Sequence, residues 1–249
     1  MGSTMAEQWF RCLTPPTATP RLRLLLFPHA GGAAGYFRAW GQAVPAGVEV
    51  LAVRYPGRED RFREPLIGSV AGLADPIAEA CASLTDAPLA FFGHSMGAMV
   101  AYETARRLAG HSTLRAVFLS SRPAPGHETK RGLANATDAE LVADLTELGG
   151  TDAEFLKYPE LLELILPVLR NDYSVVDGYR PEPGAAPLEL PVTGYLGDSE
   201  RYVDEAGVAA WAERTNGPFA LRSFTGGHFY LADHTQELLG DMLGRLGIR

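Results

Sequence analysis

Cysteine is scarce: Cys12 and Cys81 are the only two in 249 residues. Two thiols cannot build a disulfide framework or a four-ligand zinc site, so a reducing cytoplasmic setting is expected. Basic charge is also in deficit. Twenty-two Lys and Arg against thirty Asp and Glu leave a formal charge of −8. That balance argues against a dedicated nucleic-acid binder, because neutralising phosphates needs a basic surface. Lysine is almost missing, with only Lys130 and Lys157, a bias we attribute to codon usage rather than to chemistry. No apolar run approaches the roughly 18–20 residues that span a bilayer. Met1–Arg11 has neither the basic start nor the apolar stretch of a secretory signal, so no membrane role is expected. There is no H-E-x-x-H and no C-x-x-C pair, and Gly31–Gly35 lacks both the lysine of a phosphate loop and the spacing of a dinucleotide fingerprint. Neither a metal nor any other cofactor is therefore expected.

What is present is ample apolar material, 46% of the chain, for one large core. Short apolar runs at Leu22–Phe27, Val48–Val53, Leu89–Phe92, Ala116–Leu119, Val192–Leu196 and Ala220–Phe224 are bounded by Pro or Gly. Continuous apolar strands of this kind suit a parallel sheet buried on both faces. Helical periodicity falls between them, at Val70–Leu84, Ala98–Ala109, Ala206–Arg214 and Gln236–Leu246. The alternation predicts a single α/β domain over residues 1–249, with right-handed crossovers and helices on both faces of a mostly parallel sheet. The stretch Ala124–Ala186 breaks the rhythm. It offers helical pieces at Asp138–Leu148 and Tyr158–Tyr173, the second interrupted by Pro167, and no strand. An insertion of roughly 60 residues is far beyond an ordinary connection, and we expect a helical lid over a site at the strand ends.

The sharpest chemical signal is Gly93-His94-Ser95-Met96-Gly97. A G-x-S-x-G match alone is weak; here a buried strand enters it and a helix leaves it. That is the setting of a nucleophile elbow, a tight turn that presents a serine Oγ above the sheet. A serine hydroxyl needs a base. Of six histidines, His228 sits just after the last strand, in Gly226-Gly227-His228, where such a base belongs. His234 reads as a surface residue, His111 and His127 as loop residues, and His94 lies inside the elbow, pointing away from Oγ. The loop after Val192–Leu196 offers two carboxylates, Asp198 and Glu200. Glu200 matches the usual spacing and is preferred; Asp198 remains the alternative. A tetrahedral oxyanion needs two backbone N–H donors. Met96, after the nucleophile, supplies one, and Ala30, in the loop Phe27-Pro28-His29-Ala30-Gly31-Gly32, supplies the other. His29 is expected to order this loop.

Together with Tyr55-Pro56-Gly57-Arg58-Glu59-Asp60-Arg61, Leu166-Pro167-Val168-Leu169-Arg170-Asn171-Asp172 and Gly226-Gly227-His228-Phe229, these motifs resemble a known family nearly end to end. The chain looks like a type II thioesterase of the α/β-hydrolase superfamily, the free-standing editing enzyme of polyketide and nonribosomal peptide assembly lines. The resemblance implies hydrolysis of acyl or aminoacyl thioesters from the phosphopantetheine arm of a carrier protein, by a monomer without a cofactor of its own. It makes Ser95 the nucleophile, His228 the base, and Ala30 and Met96 the oxyanion donors. The family usually has Asp followed by Pro where this chain has Glu200-Arg201. Carrier proteins are typically acidic, so Arg54, Arg58, Arg61 and Arg63 are candidates for a basic docking patch, although Glu59, Asp60 and Glu64 are interleaved. The rival readings are a general serine esterase or lipase, a cyclising thioesterase, and a binding module without turnover.

Overall fold

Seven strands form one sheet: β1 Phe10–Cys12, β2 Leu22–Phe27, β3 Val48–Val53, β4 Leu89–His94, β5 Leu114–Ser120, β6 Val192–Gly197 and β7 Phe219–Phe224. The spatial order is β1-β3-β2-β4-β5-β6-β7, and every pairing is parallel except β1 with β3. The computed structural model describes residues 4–15, 17–110, 113–128, 131–149 and 158–248. The eight helices among them are α1 Met5–Trp9, α2 Arg38–Ala43, α3 Val70–Ala82, α4 Met96–Arg107, α5 Asp138–Leu148, α6 Pro159–Gly178, α7 Glu205–Ala209 and α8 Thr235–Arg245.

Strands β2, β3, β4 and β6 are buried along their whole length, and their side chains divide by parity. Leu25 and Phe27 of β2 join the core beneath α1, α3, α4 and α7, whereas Leu22, Leu24 and Leu26 join the core beneath α2 and α8. A strand with two covered faces needs apolar residues at every position, which is why these runs lack alternation. The polar exceptions are paired. Arg23 and Glu49 stand opposite each other on β2 and β3 and are joined at 2.7 Å.

The six strands expected from the sequence all form, β2 and β3 with the expected bounds and the other four with one or both ends shifted by one or two residues. The seventh, β1, is a short antiparallel edge strand that the apolar-run pattern does not mark. The helical piece expected to break at Pro167 is instead one continuous helix, α6. Proline inside a helix costs about 3 kcal/mol, and the buried face of α6 offsets it: Val168, Leu169, Tyr173 and Val175 are all covered. Within the stretch 124–186, residues 129–130 and 150–157 lie outside the described residues, as does His111. Leu141, Leu145, Leu169 and Tyr173 of α5 and α6 make a small separate core, against which Ala30 packs.

Tight packing fixes the β4–α4 junction. A Cβ on Gly97 would lie 2.0 Å from the Phe27 carbonyl oxygen, and one on Gly93 would lie 2.2 Å from that of Gly97. Both obstacles are backbone and cannot swing aside. Gly97→Ala is therefore expected to destabilise the fold by at least about 3 kcal/mol, a fall in Tm of roughly 6–12 °C for a domain of this size. Thermal unfolding with native Tm retained would refute that crowding.

Candidate active site

Six segments leave the carboxyl ends of the six parallel strands, where α/β sheets bind their ligands. After β4 comes Ser95, at φ 54° and ψ −118°. This sparsely populated conformation turns the chain sharply from strand into helix. The Ser95 N–H donates to the Ser120 carbonyl at 2.8 Å, which ties the turn to the end of β5. Met96 is the first residue of α4, so its N–H belongs to the helix's unpaired first turn.

After β2 comes the loop of Ala30. The Gly31 N–H donates to Asp172 Oδ2 at 2.8 Å, and the Gly32 N–H to the His29 carbonyl at 3.0 Å. The Ala30 N–H has no partner among the described residues. The His29 ring stands against Tyr36 and Phe229, with centroids 4.7 and 4.8 Å away. Burial, helped by the nearby His228 and Arg58, pushes its pKa down to about 3. His29 is thus a neutral wedge beneath the loop at physiological pH.

After β7 comes His228, and after β6 come both candidate acids. The structure brings Glu200, and not Asp198, to the imidazole. His228 Nδ1 lies 2.9 and 3.1 Å from the two Glu200 oxygens, and the Glu200 side chain is 1% exposed. A carboxylate only accepts, so Nδ1 carries the proton and Nε2 is left with a free lone pair. Asp198 accepts instead from the Gly226 N–H and from Ser199 Oγ, each at 3.0 Å. It caps the loop that carries His228 without touching the ring.

His94 packs its ring against that of His228, with centroids 4.9 Å apart. Its Nδ1 joins Ser120 Oγ at 2.9 Å, which in turn meets the Tyr230 hydroxyl at 2.7 Å. Complete burial holds His94 well below the ordinary histidine range, so it stays neutral beside His228. His127 stands 3.5 Å from Glu213, and His234 is held by Thr225.

Ser95, His228 and Ala30 share one cavity of about 190 Å³. Leu145, Leu148, Ile165 and Tyr173 line its wall, all from α5 and α6. The same insertion is tied to the acid loop: the Tyr202 hydroxyl donates to Glu147 at 2.6 Å, and Arg131 lies 3.6 Å above the Tyr202 ring.

The four arginines expected to form a docking patch do not form one. Arg54 is bonded to Asp60 and to the Glu7 carbonyl. Arg61 is 5% exposed, bonded to Glu64 and stacked on Trp9. Arg58 points inward, donating to both oxygens of Asp172 at 2.7 and 3.0 Å and to the Gly32 carbonyl at 3.1 Å. Arg63 alone of the four stays exposed, beside Phe62. Carboxylates close enough to pair have neutralised the cluster.

Asp172 is the site residue that inspection of the sequence passes over. It lies 114 positions from Arg58, and its only signal is membership of the motif Leu166–Asp172. It is 1% exposed and joins α6, Arg58 and the Ala30 loop in one knot. Asp172→Asn should destabilise the protein by about 3–5 kcal/mol, because it leaves a buried guanidinium without its charge partner. Arg58→Met with Asp172→Leu should recover part of that loss. Urea unfolding of the single and double variants checks both, and a neutral single variant would show that the pair carries no stability.

Residues 22–246 match the family described as the thioesterase domain. Thioesterase PikA5 of Streptomyces venezuelae is 41% identical over 234 residues, spanning 93% of this chain and 83% of that protein. The solved structure of the type II thioesterase BorB, from the borrelidin biosynthetic cluster, superposes with a TM-score of 0.88 at 37% identity and covers 99% of both chains. That of YbtT, a type II thioesterase from the yersiniabactin NRPS/PKS biosynthetic pathway, gives 0.85 at 29% identity over 94% of this chain and 96% of its own. With a thioesterase match over most of its length and an α/β-hydrolase sheet that carries the site at its strand ends, the chain belongs to the thioesterase family and stands among the type II thioesterases.

Proposed function

We propose that this thioesterase hydrolyses acyl or aminoacyl groups from the phosphopantetheine arm of carrier proteins, clearing stalled or wrong units from a polyketide or nonribosomal peptide assembly line. Ser95 is the nucleophile, His228 the general base, Glu200 the acid that orients it, and Ala30 and Met96 the oxyanion donors. The observation that carries this reading is the bidentate Glu200–His228 contact beside a cavity that also holds Ser95 and the Ala30 loop.

The reaction follows from that arrangement. His228 Nε2 takes the Ser95 proton as Oγ adds to the thioester carbonyl. The Ala30 and Met96 N–H groups receive the oxyanion that forms, and Glu200 stabilises the imidazolium. The C–S bond then breaks. A thiolate with a conjugate-acid pKa near ~8.5 leaves with little assistance, and the His228 proton ends on sulfur. Water, deprotonated by the same imidazole, attacks the acyl-serine and releases the free acid, returning the proton to Ser95. Helices α5 and α6 act as the lid that shapes the acyl chamber.

Release of free acid from a panel of acyl and peptidyl carrier proteins tests the reading. Carrier thioesters should be preferred over simple oxygen esters. Good turnover of simple esters with none on any carrier would mean an esterase, and a macrolactone product would mean a cyclising enzyme.

A further inference from the structure

The hydrolysis makes no use of Arg122, although this residue stands on the wall of the same cavity as Ser95. It follows Ser121 at the end of β5, the strand whose Ser120 carbonyl accepts the Ser95 N–H. Its side chain is 14% exposed. Its Nε is fully buried and has no hydrogen-bond partner among the described residues. The nearest carboxylate, Glu128, lies 4.0 Å from Nη2, beyond hydrogen-bond reach. The second Glu128 oxygen is already taken by the Gly126 N–H at 2.8 Å.

Other arginines around the site are satisfied, Arg58 by Asp172 and Arg131 by Asp144. Arg122 therefore presents a planar fork of five N–H donors that is largely unused. Buried donors left unmet cost free energy, and an acceptor in the cavity removes that cost. The carboxylates whose charge acts on this guanidinium, Glu128 and Asp177, both line the cavity too.

We propose that Arg122 is the polar anchor of the acyl chamber and donates to a neutral oxygen, keto or hydroxyl, on the acyl chain of the thioester held at Ser95. This deepens the thioesterase reading and rests on it. Three considerations select the ligand. A guanidinium only donates, so an amine is the wrong partner. Glu128 and Asp177 offset the positive charge, so a chain ending in carboxylate gains little against two resident carboxylates. The phosphopantetheine arm stays attached to a bulky carrier outside the cavity, so the part of the thioester that the cavity can enclose is the acyl chain. The apolar wall of Leu145, Leu148 and Ile165 suits the methylenes between the functional groups.

The test uses pantetheine thioesters of one chain length: a saturated acyl group, its keto and hydroxy counterparts, and a chain ending in carboxylate. The native enzyme should favour the keto or hydroxy chains over the saturated one by roughly ten- to hundredfold in kcat/KM. Arg122→Met should bring that ratio towards one, and Arg122→Lys should keep part of it. A native ratio near one, an equal loss on every chain in Arg122→Met, or an equal gain for the carboxylate chain would overturn the proposal. Calorimetric binding of the same thioesters to Ser95→Ala separates the two levels of inference. Oxygen preference in binding without turnover by the native enzyme would keep the Arg122 anchor and sink the thioesterase reading. Turnover without any preference would sink the anchor alone.

Discussion

Ser95→Ala is expected to lower kcat for thioester hydrolysis by on the order of 10⁵–10⁶ while leaving the fold in place. The size follows from what is lost. Without Oγ no acyl-enzyme forms, and the residual rate is that of water attacking a bound thioester with help from the oxyanion donors. The fold should survive because Ser95 Oγ makes no hydrogen bond among the described residues, and alanine carries no more bulk at φ 54° than serine does. Intact mass spectrometry after brief mixing with an acyl carrier protein should show the acyl increment on native enzyme and none on the variant. A variant that keeps more than about a hundredth of the native rate would place the nucleophile elsewhere.

The expectation for Ser95 could be formed early because everything that identifies it is local. The elbow lies between the four-residue apolar run Leu89–Phe92 and a helix, and its glycines are required by backbone oxygens about 2 Å from where a Cβ would be. Glu200 follows β6, a strand buried along its whole length and marked by its short apolar run; His228 follows β7, a part-exposed edge strand, and is marked instead by the Gly226-Gly227 pair before it. The β1 strand was not legible. Phe10-Arg11-Cys12 is three residues long, pairs antiparallel at an edge and is buried only at Phe10. Helix α2 is too short, at six residues, for periodicity to declare itself.

Charge was the least legible of all. The arginines of residues 54–63 read as a surface cluster because proximity in sequence shows their own neighbours and hides remote ones. Glu59, Asp60 and Glu64 sat in plain view, yet the partner that turns Arg58 inward is Asp172, on a helix of the insertion. The consequence is functional as well as structural. The Gly31 N–H and the Gly32 carbonyl, which follow Ala30 in the loop, are both held by that ion pair. Helix α6 and the Ala30 loop are therefore parts of one packed unit, and Ala30 touches the same small core as Leu141 and Leu169.

The second large effect separates the two acids. Glu200→Gln should reduce kcat by roughly 10³–10⁴, by the same logic that makes the acid of a Ser-His-Asp triad indispensable. Glutamine is nearly isosteric and can keep the contact to His228 Nδ1, but it offers N–H donors as well as an oxygen. With an amide N–H turned to the ring, the proton moves to Nε2, and the imidazole can no longer accept from Ser95. With the oxygen turned to the ring, the tautomer is right but the imidazolium formed during attack has no negative charge beside it. Either orientation disables the base, so rotation of the amide gives no escape. Asp198→Asn should stay within about two- to threefold of native, because its acceptor oxygen to the Gly226 N–H survives the change. Asp198→Ala removes that cap and should lower Tm more than kcat, since what it loosens is the loop beneath His228 rather than the charge on it. Glu200→Asp should fall between native and Gln: it keeps the charge but lacks the methylene that carries the carboxylate to 2.9 Å from Nδ1. Steady-state rates on one acyl carrier protein, with thermal unfolding run beside them, decide the matter. If Asp198→Asn proved the more damaging of the two amide variants, Asp198 would be the working acid and the Glu200 contact a resting arrangement.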